Sequence, residues 1–95
     1  MKVTVKSILD IKEILGGKRT IEIEIKNSAN VFDVLQQLVC IYGESFENRV
    51  FEKDGSQKPE IVLFINGTTI LAREGLETRM KSGDELLIFP PVGGG

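Results

Sequence analysis

The residues with the most chemical promise in this 95-residue chain are its last ones, "IFPPVGGG", Ile88 to Gly95. Pro90 and Pro91 donate no backbone hydrogen bond and hold φ near about −65°, so a strand ladder ends there and the chain leaves extended. Gly93, Gly94 and Gly95 carry no Cβ, and such a backbone passes through a channel too narrow for any other residue. At the tip, the α-carboxylate is the only functional group. A free carboxylate is unreactive toward nucleophiles because its leaving group would be oxide. Conversion by ATP to an acyl-adenylate supplies AMP as a leaving group, and a sulfur or amine nucleophile can then attack the carbonyl carbon. The activating machinery must belong to another protein. The plain alternative is a frayed terminus. Ordering Val92 to Gly95 inside a partner costs on the order of 4–8 kcal/mol, at ~1–2 per residue, which suits reversible docking.

The remaining residue types argue that the chain enters chemistry as a substrate. Histidine is absent, which removes the commonest general base, the usual metal ligand and every Ser-His or Cys-His pair. Cys40 stands alone, excluding an intrachain disulfide and any zinc or iron–sulfur site built from several cysteines. No basic residue adjoins it to lower its pKa, so it reads as a small, semi-buried filler on the side of the helix shared by Phe32 and Gln36. The acidic residues of "EIEIK" and "GDELL" fall on solvent faces by strand alternation and do not form a catalytic carboxylate pair. Gly16, Gly17 and Lys18 lack the other positions of a phosphate loop and read as a turn. A net charge of −2 offers no positive field for nucleic acid or an anionic membrane. No apolar run is long enough to cross a bilayer and "MKVTVK" lacks the core of a signal peptide, so the expectation is a soluble cytoplasmic protein.

The elements that position the tail follow from periodicity. "MKVTVK" and "RTIEIEIK" alternate apolar and polar residues, Ile21, Ile23 and Ile25 falling on one face, and are expected to pair as an antiparallel hairpin. Between them, "SILDIKEILGG" has Ile8, Ile11 and Leu15 at roughly helical spacing before Gly16, suggesting a helical turn or ordered loop. "NSANVFDVLQQLVCIYG" changes period: Val31, Val34, Leu35, Leu38, Val39 and Tyr42 make an amphipathic stripe, with Asn30 as N-cap, Asp33 in the first turn and Gly43 as the stop. The stretch from Glu44 to Glu60 is mostly polar, and "KDGSQKP" reads as an exposed loop. "EIVLFINGTTI" reads as a hairpin turning at Asn66 and Gly67. A connector around "REGLETRM" and a turn at Ser82, Gly83 and Asp84 lead to a last strand, Glu85 to Phe89.

Hairpin, helix, hairpin and final strand are most economically buried as one helix across a mixed sheet of four or five strands. This is an α+β, β-grasp (ubiquitin-like) architecture, with a domain over residues 1–89 and an extended tail over 90–95.

At these residues the sequence resembles a known family. "FPPVGGG", following "SGDELLI" and preceded by "LFINGTTI", is similar to the small subunit of molybdopterin synthase, MoaD, and to archaeal relatives that also act as ubiquitin-like modifiers. The likeness spans nearly the whole chain, from "MKVTVK" through the helix at Val31. Thiamine-pathway sulfur carriers of the same fold share the last two glycines but usually lack the Pro-Pro before them. The resemblance implies that Gly95 is adenylated, with ATP used in trans and no cofactor bound, by a ubiquitin-activating-type adenylyltransferase (MoeB-like). It implies a thiocarboxylate on Gly95, Gly94 as its required neighbour, and Phe89, Pro90, Pro91, Val92 and Gly93 as the arm inserted into the large synthase subunit (MoaE-like). Sulfur then passes to a cyclic pterin precursor, making the dithiolene that holds molybdenum or tungsten. Two departures stand out: a third glycine at Gly93, where the family often varies, and a "FEKDGSQKPE" loop longer than in minimal members.

Three function classes share this sequence. A sulfur carrier gives up its activated carboxyl to sulfur chemistry; a modifier gives it to lysines of target proteins as an isopeptide; an interaction domain leaves the tail idle.

Overall fold

The computed structural model describes residues 1–90 and contains five strands, three α-helices and two short 3-10 turns. Strand β1 (Lys2–Ser7) pairs antiparallel with β2 (Thr20–Glu24), Val3 opposite Ile23 and Val5 opposite Ile21. Between them lies a short helix, α1 (Leu9–Ile14), which with the following Leu15 buries Ile11 under the sheet. The expected turn forms at Gly16 and Gly17.

The main helix, α2, runs Val31–Tyr42, the limits that its apolar stripe and caps imply. Its N-terminus closes as a capping box: the Asp33 N–H donates to Asn30 Oδ1 at 2.8 Å and the Asn30 N–H donates to Asp33 Oδ2 at 3.0 Å. Val31, Val34, Leu35 and Leu38 are fully buried, each contributing about 1.5–3 kcal/mol relative to exposure. Val39 and Tyr42 pack at the margin of the core.

The polar segment after Gly43 departs from the loop expected there. Glu44–Val50 forms a third helix, α3, which buries Phe46 and Val50, with Phe51 buried just beyond. Gly43 takes φ 76°, ending α2, and is at once the N-cap of α3. The helix forms because Phe46 and Val50, four residues apart, face the core while Glu44, Glu47 and Asn48 face solvent. The loop expected at "KDGSQKP" is present, exposed over residues 52–56 and again at Pro59 and Glu60, and it is tightened where Ser56 donates from backbone and hydroxyl to Asp54 Oδ1.

Strand β3 (Val62–Ile65) turns at Asn66 and Gly67, with φ of 50° and 86°, into a two-residue β4 (Thr68–Thr69). That pair of positive φ angles is what the Asn-Gly dipeptide supplies. A 3-10 turn, Ile70–Ala72, leads into the "REGLETRM" connector, which contains a second, Gly75–Glu77. The last strand, β5 (Glu85–Phe89), lies parallel to β1 and antiparallel to β3, giving the order β2-β1-β5-β3-β4. One face of this sheet, carrying Val3, Val5, Ile23, Leu63, Ile65, Leu86 and Ile88, packs under α2. This is the β-grasp, ubiquitin-like fold, with a five-stranded mixed sheet and one main helix.

Candidate functional site

The tail is rooted in the centre of the sheet. β5 is held on both sides: Val5 opposes Leu86 and Ser7 opposes Ile88 on one flank, and Val62 opposes Phe89 on the other. Its start is fixed by a polar clamp, in which the Glu85 N–H donates to Asn66 Oδ1 at 3.0 Å, Asn66 Nδ2 donates to Asp84 Oδ1 at 3.0 Å, and the Thr4 N–H donates to Asp84 O at 2.9 Å. A strand anchored along its whole length gives the chain leaving it a defined point and direction of exit. Phe89 is half-buried and Pro90 is buried, and regular pairing ends at Phe89, where a residue without an N–H must interrupt the ladder. Pro91, Val92, Gly93, Gly94 and Gly95 lie outside the described residues.

The sheet face opposite α2 is apolar where β3 and β5 run together. The register sets Val62 opposite Phe89 and Phe64 opposite Leu87, so four large side chains sit side by side on the outer face. All four are half-buried, and the rings of Phe64 and Phe89 meet edge-on, 6.2–6.4 Å being the range of the two aromatic pairs and 6.4 Å the centroid distance here. A Lys6–Glu85 ion pair at 3.0 Å borders the patch. Only Phe89 of this group stands out in the tail-centred reading. The signal for the others is that "VLFI" and "LLIF" do not alternate, so these strands present apolar side chains to both faces.

The other candidates take structural places. Cys40 is exposed, not the semi-buried filler expected, because it sits off the Val31–Leu38 stripe and lines a surface depression with Gln36, Gln37, Glu24 at the end of β2, and Ile25 and Lys26 just beyond it. Glu22 and Glu24 are solvent-exposed, as alternation requires. Two carboxyls are held below their ordinary values: Asp10 chiefly by a hydrogen bond from the Arg49 guanidinium, against a smaller opposing effect of burial, and Asp54 by the hydroxyl and N–H of Ser56. Among the described residues no group of three Cys, Asp or Glu side chains is placed to hold a metal ion, and no helix is long and apolar enough to cross a membrane. What surrounds the end of β5 can bind and orient a partner by apolar contact.

A glycine-ended chain leaving the central strand of a β-grasp sheet defines the class of small ubiquitin-like carriers and modifiers. The ThiS family matches residues 10–95, and the chain belongs to it. Over its full length it is 32% identical to small archaeal modifier protein 3 of Haloferax volcanii, covering all of both chains. It is 44% identical over 65 residues to an Archaeoglobus fulgidus protein provisionally named a sulfur carrier, covering 68% of this chain and 73% of that one. Among solved structures, that of the Haloferax volcanii modifier SAMP1 superposes over all of both chains with a TM-score of 0.87 at 34% identity. A Pyrococcus furiosus protein provisionally named molybdopterin converting factor, subunit 1, superposes with a TM-score of 0.75 at 26% identity, covering 97% of this chain and 99% of that one.

Proposed function

We propose that this protein is a sulfur carrier that supplies molybdenum- or tungsten-cofactor synthesis as the small subunit of a molybdopterin synthase. The observation that carries the reading is the "FPPVGGG" terminus running out of the doubly anchored strand β5. In the first step a carboxylate oxygen of Gly95 attacks the α-phosphorus of ATP on a ubiquitin-activating-type enzyme (MoeB-like), and pyrophosphate leaves. Hydrosulfide, or a sulfur donor delivering its equivalent, then adds to the carbonyl carbon; AMP leaves and the product is the thiocarboxylate. Val62, Phe64, Leu87 and Phe89 form the surface on which the activating enzyme, and later the large synthase subunit (MoaE-like), seats the domain while the tail threads into each active site. The tail's missing side chains permit that threading. The names of the sulfur-carrier and molybdopterin-converting relatives support the cofactor route.

A second reading is favoured by the modifier relatives: the same acyl-adenylate is passed on to lysines of target proteins, leaving an isopeptide bond. The last basic residue before the tail is Lys81, so trypsin would leave the remnant Ser82 to Gly95 on a modified lysine. A survey of host proteins that finds this remnant establishes the modifier role, and a thorough one that does not rejects it. Activation itself is tested by ATP–pyrophosphate exchange with the partner enzyme. Deleting Gly95 should abolish exchange while leaving the urea midpoint unchanged; exchange that survives the deletion refutes the assignment to Gly95, and no exchange with the intact chain favours an idle tail.

A further inference from the structure

Among the described residues β2 is an edge strand, with a neighbour on one side only. Its hydrogen-bonding phase is set at the two ends of the hairpin, where the Ile25 N–H donates to Met1 O and the Ser7 N–H donates to Arg19 O, both at 2.9 Å. Alternation along an antiparallel ladder then turns the peptide groups of Ile21 and Ile23 toward β1 and those of Thr20, Glu22 and Glu24 outward, away from the sheet. These outward groups form a ready template for one more strand. Two depressions lie end to end along the same edge. One is lined by Thr20 to Ile23 of β2, by Ile41 and Tyr42 from the last turn of α2 and, at its far end, by Lys18; the other continues along Glu24, Ile25 and Lys26 opposite Cys40. Ile41 is 49% exposed, an apolar side chain presented where an added strand would place its inward residues.

The charge on this edge selects the occupant. Glu22 and Glu24 project from the outer face; Glu24 has the chain's terminal ammonium at 3.7 Å, while Glu22 stands opposite Thr4 and has no ion-pair partner among the described residues. A second copy of this chain pairing antiparallel about Glu22 would set the two Glu22 carboxylates directly opposite each other, which cross-strand pairing disfavours. We propose that the β2 edge and the adjoining end of α2 form a second interaction surface, which adds an extended peptide segment of a partner protein as a sixth strand. Aliphatic residues of that segment face Ile41 and Tyr42, and lysines or arginines alternating with them face Glu22 and Glu24. This mode draws affinity from main-chain hydrogen bonds and specificity from alternate side chains. It does not depend on the chemistry proposed for Gly95.

The test titrates the isotope-labelled full chain with a capped peptide alternating lysine and valine, and with its glutamate–valine twin, following backbone amide shifts by NMR. Saturable shifts are expected at Thr20 to Glu24 and at Ile41 and Tyr42, with the lysine peptide binding about tenfold more tightly than its twin. The double variant Glu22→Lys/Glu24→Lys should reverse that preference. Glu22→Pro should abolish binding, since the N–H it removes points away from β1; the charge-reversed variant carries the test should the proline disturb folding. Absence of shifts at millimolar peptide, equal response to both peptides, shifts confined to the outer face around Phe64, or sedimentation showing self-association through β2 would each overturn the proposal.

Discussion

Leu86 and Leu87 are neighbours on β5 whose side chains point to opposite faces, and replacing each by alanine separates folding from docking. Leu86 is fully buried under α2. Truncating it removes three carbons from a packed site and should cost about 2–5 kcal/mol, the range for buried leucine truncations that leave a cavity. With a urea slope of roughly 1–3 kcal/mol per molar, that lowers the unfolding midpoint by at least about 0.7 M. Leu87 is half-buried on the outer face, opposite Phe64 and Lys6. Its truncation loses less buried area and leaves no enclosed cavity, so the stability cost should stay near ~1 kcal/mol. If the patch is the docking surface, however, Leu87 sits at its centre, and loss of such an anchor costs about 1–2 kcal/mol of binding, or roughly 5- to 30-fold. Urea denaturation followed by circular dichroism gives the first quantity, and kcat/KM for ATP–pyrophosphate exchange with the activating enzyme gives the second. Leu87→Ala should lower kcat/KM through KM, while Leu86→Ala, below its unfolding midpoint, should leave it close to wild type. A Leu87→Ala protein with unchanged KM refutes the docking assignment, and a Leu86→Ala protein as stable as wild type refutes the packing argument.

Other consequences are as direct. Ser7 is fully buried and its Oγ has no hydrogen-bond partner among the described residues; Ser7→Ala should be neutral or stabilising by up to ~1–2 kcal/mol in urea melts, and a loss of stability contradicts the reading. Asn30→Ala breaks the capping box of α2 and should cost ~1 kcal/mol, measured as a lower thermal midpoint, with Asn30→Asp retaining most of it. The Asp10 carboxyl titrates below its ordinary value because of Arg49. Its contribution is therefore present above the unfolded-state value and lost as pH falls through the lower folded-state one. Asp10 is 52% exposed, so the effect is less than ~1 kcal/mol. Arg49→Ala should accordingly lower stability at neutral pH slightly and flatten the acid limb of the stability curve; an unchanged acid limb rejects the assignment.

The elements that carry strong local signals are legible in the sequence, and those decided by few residues or by tertiary pairing are not. α2 is marked three times over, by the Val31–Leu38 stripe, by Asn30 with Asp33, and by Gly43. β5 is bounded by a turn before Glu85 and prolines after Phe89. α3 escapes because only Phe46 and Val50 mark its period and because Gly43, read as a stop, also begins the next helix. Cys40 is misplaced because a helical residue just beside the stripe lies under or outside the sheet edge according to where β2 runs, which the helix pattern does not encode. The outer patch depends on β3 and β5 being neighbours, a pairing between strands separated by the whole connector, although the unbroken apolar runs in both hint that each strand has two apolar faces. The chemistry proposed for the tail rests on its residue types and lies on residues outside the described ones.

The claim on which the account rests is that the carbonyl of Gly95 is where acyl chemistry happens. The most direct test is tandem mass spectrometry of the C-terminal tryptic peptide, Ser82 to Gly95, from protein isolated from its source cells and from protein incubated with the activating enzyme, ATP and a sulfur donor. The account requires a fraction of that peptide to carry sulfur in place of one terminal oxygen, with the fragment ions assigning it to Gly95. A plain carboxylate in every molecule from both preparations would contradict it.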